Sequence, residues 1–174
     1  MEPAIRLPAD ITIRAIAPDD RAALRRFYGE LSADSLNARF HGATRGIADP
    51  VARFFCGPDH EHREGLIAEV AGAEDGPRIV GHLCLEPLAD GDVEMAIAVA
   101  DAWQGHGIGR ALLATSIAWA RLHDVTRLRA SMLWSNAAIL GLLRSVGRPL
   151  TVRASDDGDL EAVIDVRDPI PTAA

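Results

Sequence analysis

Three glycines at alternate positions, Gly105, Gly107 and Gly109, stand between an apolar run and an amphipathic one. No other feature constrains the chain as much. The run before them, Val93 to Val99, is short and rich in β-branched and small residues, with one charge at Glu94, and reads as a strand. Asp101 to Gln104 breaks it. After the glycines, Ile108, Leu112, Leu113, Ile117 and Ala120 recur at helical spacing. A strand that feeds a helix through a turn with so little side chain bares successive peptide N–H groups at the positive end of a helix dipole. Such a turn receives phosphate oxygens.

The residue order narrows the kind of phosphate. No Lys-Ser/Thr pair follows the glycines, which excludes a nucleoside-triphosphate loop. Arg110 stands where a G-x-G-x-x-G dinucleotide turn needs its third glycine. The pattern present is Gln104-x-x-Gly107-x-Gly109, followed by Arg110-Ala-Leu-Leu113 and, downstream, by the Asn136 segment. In this it resembles the acyl-CoA pyrophosphate loop of the GNAT-type N-acetyltransferases. The alternative is a plain strand–helix turn whose glycines serve only close packing.

The rest of the chain divides into short elements. Strands are expected over 11–16, 65–71, 78–85, 125–133, 150–153 and 160–166. Helices are expected around Leu24–Leu31, over 35–40, briefly over 51–55, and from Asn136 to about Val146. The order β-α-α-β-β-β-α-β-α-β-β fits one mixed α/β layer structure over residues 11–166, with loose ends at 1–10 and 167–174. The GNAT fold has the same order. The resemblance therefore implies a central, mostly antiparallel sheet flanked by helices, in which the middle strand splays from its neighbour.

Composition removes other classes. At 174 residues the chain is read as one domain, and 48% apolar content is too high for disorder. No apolar run nears the ~20 residues of a membrane span, and no secretory leader is visible, so a cytoplasmic protein is expected. A net charge of −7 argues against nucleic acid and favours cationic acceptors such as amines. Cys56 and Cys84 lack metal or redox spacing and read as small buried residues. The patch from Asp59 to Glu64 holds His60 and His62 but no spaced third ligand, so no metal is expected. All 18 basic residues are arginine. Coding bias explains that simply; an enzyme that acetylates lysine and spares itself is the second account.

Acyl transfer from a thioester to an amine needs a polarised carbonyl, a positioned neutral amine and a proton acceptor. The resemblance implies acetyl-CoA as co-substrate, gripped by the backbone of Ile97, Ala98 and Val99. It implies pyrophosphate binding by Gln104, Gly105, His106, Gly107, Ile108, Gly109 and Arg110, and a bond from Asn136 to the cofactor arm. Asn136 read by itself is a helix cap. Glu94 is the expected general base, since a carboxylate in an apolar strand is costly without a purpose or partner. It acts directly or through a water. The alternative is an exposed carboxylate near a hairpin end.

Gly91 suits the close of a three-residue hairpin loop, which sets Glu86 opposite Glu94, Cys84 opposite Ala96 and His82 opposite Ala98. Two facing carboxylates should raise one pKa. The chain also departs from the family. Leu143 stands where members often carry an acidic tyrosine, and the sole tyrosine, Tyr28, reads first as core. Leu31 to Phe40 is similar to a segment of bacterial protein lysine acetyltransferases. That points to a protein lysine as acceptor, with a small-molecule amine as alternative and an acyl-CoA-binding module without turnover as a third reading. Homodimers are common among such proteins, and the sequence leaves monomer and homodimer open.

Overall fold

In the computed structural model the residues described are 7–42, 44–73, 76–155 and 158–167. The strands are β1 (Ile11–Ala15), β2 (Glu64–Ala73), β3 (Gly76–Pro87), β4 (Val93–Val99), β5 (Arg127–Met132), β6 (Leu150–Ala154) and β7 (Leu160–Asp165). The helices are α1 (Arg21–Glu30), α2 (Ala33–Phe40), α3 (Asp49–Phe55), α4 (Ile108–Leu122) and α5 (Ala137–Arg144). The strands form one sheet in the order β1-β2-β3-β4-β5-β7-β6. Every pairing is antiparallel except β4 with β5.

Alternation along the strands splits the core in two. Val93 and Met95 of β4 join Leu83 and Leu85 of β3 beneath Ile108, Leu112 and Leu113 of α4. On the other face Ala98 packs with Leu24, Phe27 and Tyr28 of α1 and Leu36 of α2. Helix α4 therefore covers one side of β4, and α1 and α2 the other.

The hairpin between β3 and β4 sets the register on which the site depends. Gly91 lies at φ 86°, and its N–H donates to the Leu88 carbonyl at 3.1 Å. The pairs Glu86–Glu94, Cys84–Ala96 and His82–Ala98 form as the loop length requires. Leu88 N–H donates to Asp92 at one end of the ladder and Ala100 N–H to Val80 at the other, both at 2.8 Å. Hydrogen-bonded and non-bonded pairs alternate between these ends. Glu94, Ala96 and Ala98 therefore turn their peptide groups to β3. Ile97 and Val99 turn theirs away from it, toward β5.

There β5 is missing. It pairs with β4 only at Val93–Leu128 and Glu94–Arg129, and beyond Glu94 the two strands part.

Candidate functional site

The parting of β4 from β5 opens a cleft of about 720 Å³ that runs from α2, across β4, to the starts of α4 and α5. At one end of it stands the glycine turn. Gly105 and Gly107 lie at φ 77° and 84°, where side chains are rarely tolerated. Gly107 is the N-cap of α4 and gives the helix no side-chain cap. The first bond along the helix backbone runs from Ala111 N–H to the Gly107 carbonyl, so the N–H groups of Ile108, Gly109 and Arg110 have no partner within the helix. A Cβ on Gly109 would meet Leu142 at 3.3 Å and Val99 at 3.7 Å, so the helix start rests closely on α5 and β4.

The predicted residues of the turn divide by side chain. Gln104, Gly105, Gly107, Gly109 and Arg110 line the cleft. The Ile108 side chain is buried in the core under the first turn of α4, so it can offer only backbone, whereas exposed His106 bonds the Gln104 carbonyl through Nδ1 at 2.8 Å and keeps Nε2 free of that bond. The Gln104 amide donates to the Val99 carbonyl at 3.2 Å, one of the groups that β5 leaves unpaired. Ile97 and Val99 face the gap with their peptides; Ala98 lines it with its methyl group while its peptide serves β3. Asn136 also lines the cleft. Its Oδ1 accepts from Ile139 N–H at 3.2 Å as the N-cap of α5, which leaves both amide N–H donors uncommitted to the cap.

Glu94 is exposed on the α1–α2 face of β4, beside the cleft-lining Ala96 and Ser131 but not itself part of the cleft lining, with Ser131 Oγ 3.5 Å from Oε1. Glu86 lies across from it as the register requires. Arg63 holds Glu86 by both oxygens, at 2.6 and 2.8 Å, so the facing carboxylate is already neutralised by an ion pair. That arginine comes from 23 residues away and has no local sequence signal.

Deeper on this face Tyr28 and His82 are fully buried and bonded, Oη to Nδ1, at 2.8 Å. Burial, with help from the Arg39 charge, pulls the His82 pKa down to about 3, and burial pushes Tyr28 up to about 12. Neither lines the cleft. Leu143 is fully buried in the α4 core, so no hydroxyl stands at that position.

Two features went unseen in the sequence. Asp101 accepts from Ser32 N–H at 3.0 Å, Ser32 Oγ at 2.6 Å and Ser35 Oγ at 2.8 Å, tying the start of α2 to the end of β4. Arg39, within the Leu31–Phe40 segment, reaches from α2 into the cleft. Neither has a local signal, because the partners lie more than 40 residues apart.

His60 and His62 are each engaged by one carboxylate, Glu64 and Asp59, and no group of three metal-ligating side chains occurs among the described residues. Cys56 and Cys84 are free and buried. No helix among the described residues is long and apolar enough to cross a membrane.

Residues 21–147, spanning the helix pair, the glycine turn and α5, match the Acetyltransferase (GNAT) family. The chain belongs to that family.

Solved structures agree. The GNAT domain of PAT from S. lividans is 26% identical, with a TM-score of 0.79 over 88% of this chain and 89% of that one. YncA of Salmonella typhimurium, solved with its cofactor acetyl-CoA, is 22% identical at TM-score 0.74, over 95% and 99%. The ribosomal-protein-alanine N-acetyltransferase of Brucella melitensis is 24% identical at 0.67, over 88% and 99%. This GNAT acetyltransferase thus has the family's mixed sheet, with its one parallel pair opened at the cleft.

Proposed function

We propose that this GNAT acetyltransferase transfers an acetyl group from acetyl-CoA to a primary amine, with Glu94 as general base. One observation carries the reading: the gap between β4 and β5 ends on an uncapped helix behind two positive-φ glycines. Those residues fit a diphosphate, since the turn offers backbone donors and no side chain obstructs them. Gln104 to Arg110 hold the pyrophosphate, with Arg110 adding charge. The peptides of Ile97 and Val99 and the Asn136 amide hold the arm, and an N–H of the strand polarises the acyl carbonyl.

Acetyl-CoA supplies the activated acyl group as a thioester. The chain's own part is to orient the amine over Ala96 and Ala98 and to remove its proton at a Glu94 carboxylate oxygen, directly or through one water. Leu143 gives no proton back, so that step falls to solvent. The unit that does this spans 11–166, in the cytoplasm, where cysteines such as Cys56 and Cys84 stay reduced. Should a homodimer form, the outer strands β1 and β6 are the free sheet edges.

A protein lysine is the acceptor toward which the Leu31–Phe40 likeness points. A small-molecule amine is the alternative acceptor, and the Arg39 charge in the cleft suits an acceptor of either kind that carries an acid of its own. Free-thiol release from acetyl-CoA over a panel of lysine peptides and small amines tests the assignment. Acetyl-CoA-dependent release with any amine is expected; titration showing no acetyl-CoA binding would refute it.

A further inference from the structure

The acceptor side of the cleft holds a cation that no carboxylate pairs with directly, although it feels the charge of Glu94 and the hydroxyl of Tyr28. Arg39 lines the cleft from α2, with its guanidinium centred 4.8 Å from the Phe40 ring and 5.5 Å from that of Phe55. Nη2 is 3.3 Å from the Cys84 sulfur, and Nε is shut off from solvent with no hydrogen-bond partner. A thiol is a weak acceptor, and burial pushes that of Cys84 up, so it stays neutral. Arg39 cannot lose its charge to relieve the mismatch.

The other half-buried arginines on this face are treated differently. Arg14 is held by Asp20 and Glu69, Arg63 by Glu86, and Arg129 by Asp90 and Asp92. Arg39 forms no ion pair among the described residues. Two acids line the cleft near it. Asp101 is committed to Ser32 and Ser35. Asp34, five residues earlier on α2, stands about 140° round the helix axis. Arg110, the other cation of the cleft, lies at the phosphate end.

The register places this cation. Arg39 contacts Cys84, which pairs with Ala96, and Glu94 is two residues further along the same face, about 7 Å down the strand. Between the two charges β4 presents only the methyl group of Ala96, and Ala98 continues the same small floor beyond Arg39. A cation and a carboxylate across a floor of methyl groups complement a molecule that carries an amine and an acid together.

We propose that Arg39 receives a carboxylate of the acceptor, so that the substrate is an amine with a neighbouring acid group, its amine toward Glu94 and its carboxylate toward Arg39. This rests on the acetyltransferase reading above and specifies its acceptor. The carboxylate can belong to a free amino acid or to an acidic residue beside a protein lysine.

The test uses the whole protein, saturating acetyl-CoA and acceptors matched except for the acid: amino acids against their amides, and lysine peptides flanked by Glu against Gln. Thiol release should show kcat/KM 10- to 100-fold higher for the acid member of the productive pair, the worth of one charge-assisted bond. Whichever pair shows the preference identifies the source. In Arg39→Gln the acid-to-amide ratio should fall toward one, and Arg39→Lys should restore part of it. Calorimetry with CoA present should show the same loss in acceptor Kd. The wild-type comparison needs no variant, so misfolding of Arg39→Gln leaves the test intact. Equal rates for acid and amide, or an equal loss for both in Arg39→Gln, would overturn the proposal while the acetyltransferase reading stands. No turnover with any amine would overturn both.

Discussion

The two ends of the cleft are built on different principles. At the proposed phosphate end the groups on offer are peptide N–H donors of one continuous stretch, Gln104 to Arg110, and the side chains matter mainly by being absent. At the proposed acceptor end the groups on offer are side chains from separate elements: Arg39 from α2 and Ser131 from β5 in the cleft wall, and Glu94 of β4 next to Ser131, with Glu86 and Arg63 beside it. The first end is a local fold of the backbone. The second exists only when the sheet and α2 are assembled. Changes at the first should therefore move cofactor affinity, and changes at the second should move turnover and acceptor preference.

The sharpest test of that division is Glu94→Gln. It should lower kcat at neutral pH by roughly 10² to 10⁴, the range of a lost general base, and leave acetyl-CoA affinity nearly intact. Unchanged turnover would remove Glu94 from the chemistry. Next in size is Gly107→Val, which places a β-branched residue at φ 84° and a side chain against the diphosphate. Acetyl-CoA affinity measured by titration should fall by about 10- to 100-fold, with a stability cost of about 1–3 kcal/mol from backbone strain. Unchanged affinity would mean that the turn does not hold the cofactor.

The buried floor of the acceptor end should reveal itself in stability rather than rate. His82 has its pKa pulled down to about 3, so the unfolded chain binds a proton that the folded one refuses. This contribution is complete above the unfolded value of about 6.5 and is lost as pH falls from there toward 3. Denaturant unfolding should show roughly 2 kcal/mol lost between pH 7 and pH 5 from this group, a dependence that His82→Gln removes. Equal slopes in both proteins would contradict the burial.

The smallest effect expected is that of Tyr28→Phe. It should cost about 1–2 kcal/mol for one buried hydrogen bond and leave kcat within about twofold. A hundredfold fall in kcat with acetyl-CoA affinity intact would instead make Tyr28 the missing acid.

Much of this was legible before any coordinates. A short loop closed by Gly91 leaves one register in which apolar residues of β3 and β4 share a face, so the Glu86–Glu94 pairing could be deduced. The glycine turn was legible because its geometry depends on residues at neighbouring positions. The expected like-charge effect of Glu86 on Glu94 was incomplete for the opposite reason. Arg63 reaches Glu86 from 23 residues away, across two strands, and no spacing rule announces it. The Ser32–Ser35–Asp101 tie was hidden in the same way.

The sequence by itself determined the order of elements, the strand register and the bare turn, because backbone periodicity and glycine conformation are local properties. Tertiary structure alone decided which charges meet and which do not: Glu86 is answered by Arg63, whereas Arg39 forms no ion pair among the described residues and turns one nitrogen to the Cys84 sulfur. Charge pairing depends on distances that only the assembled sheet and its covering helices set.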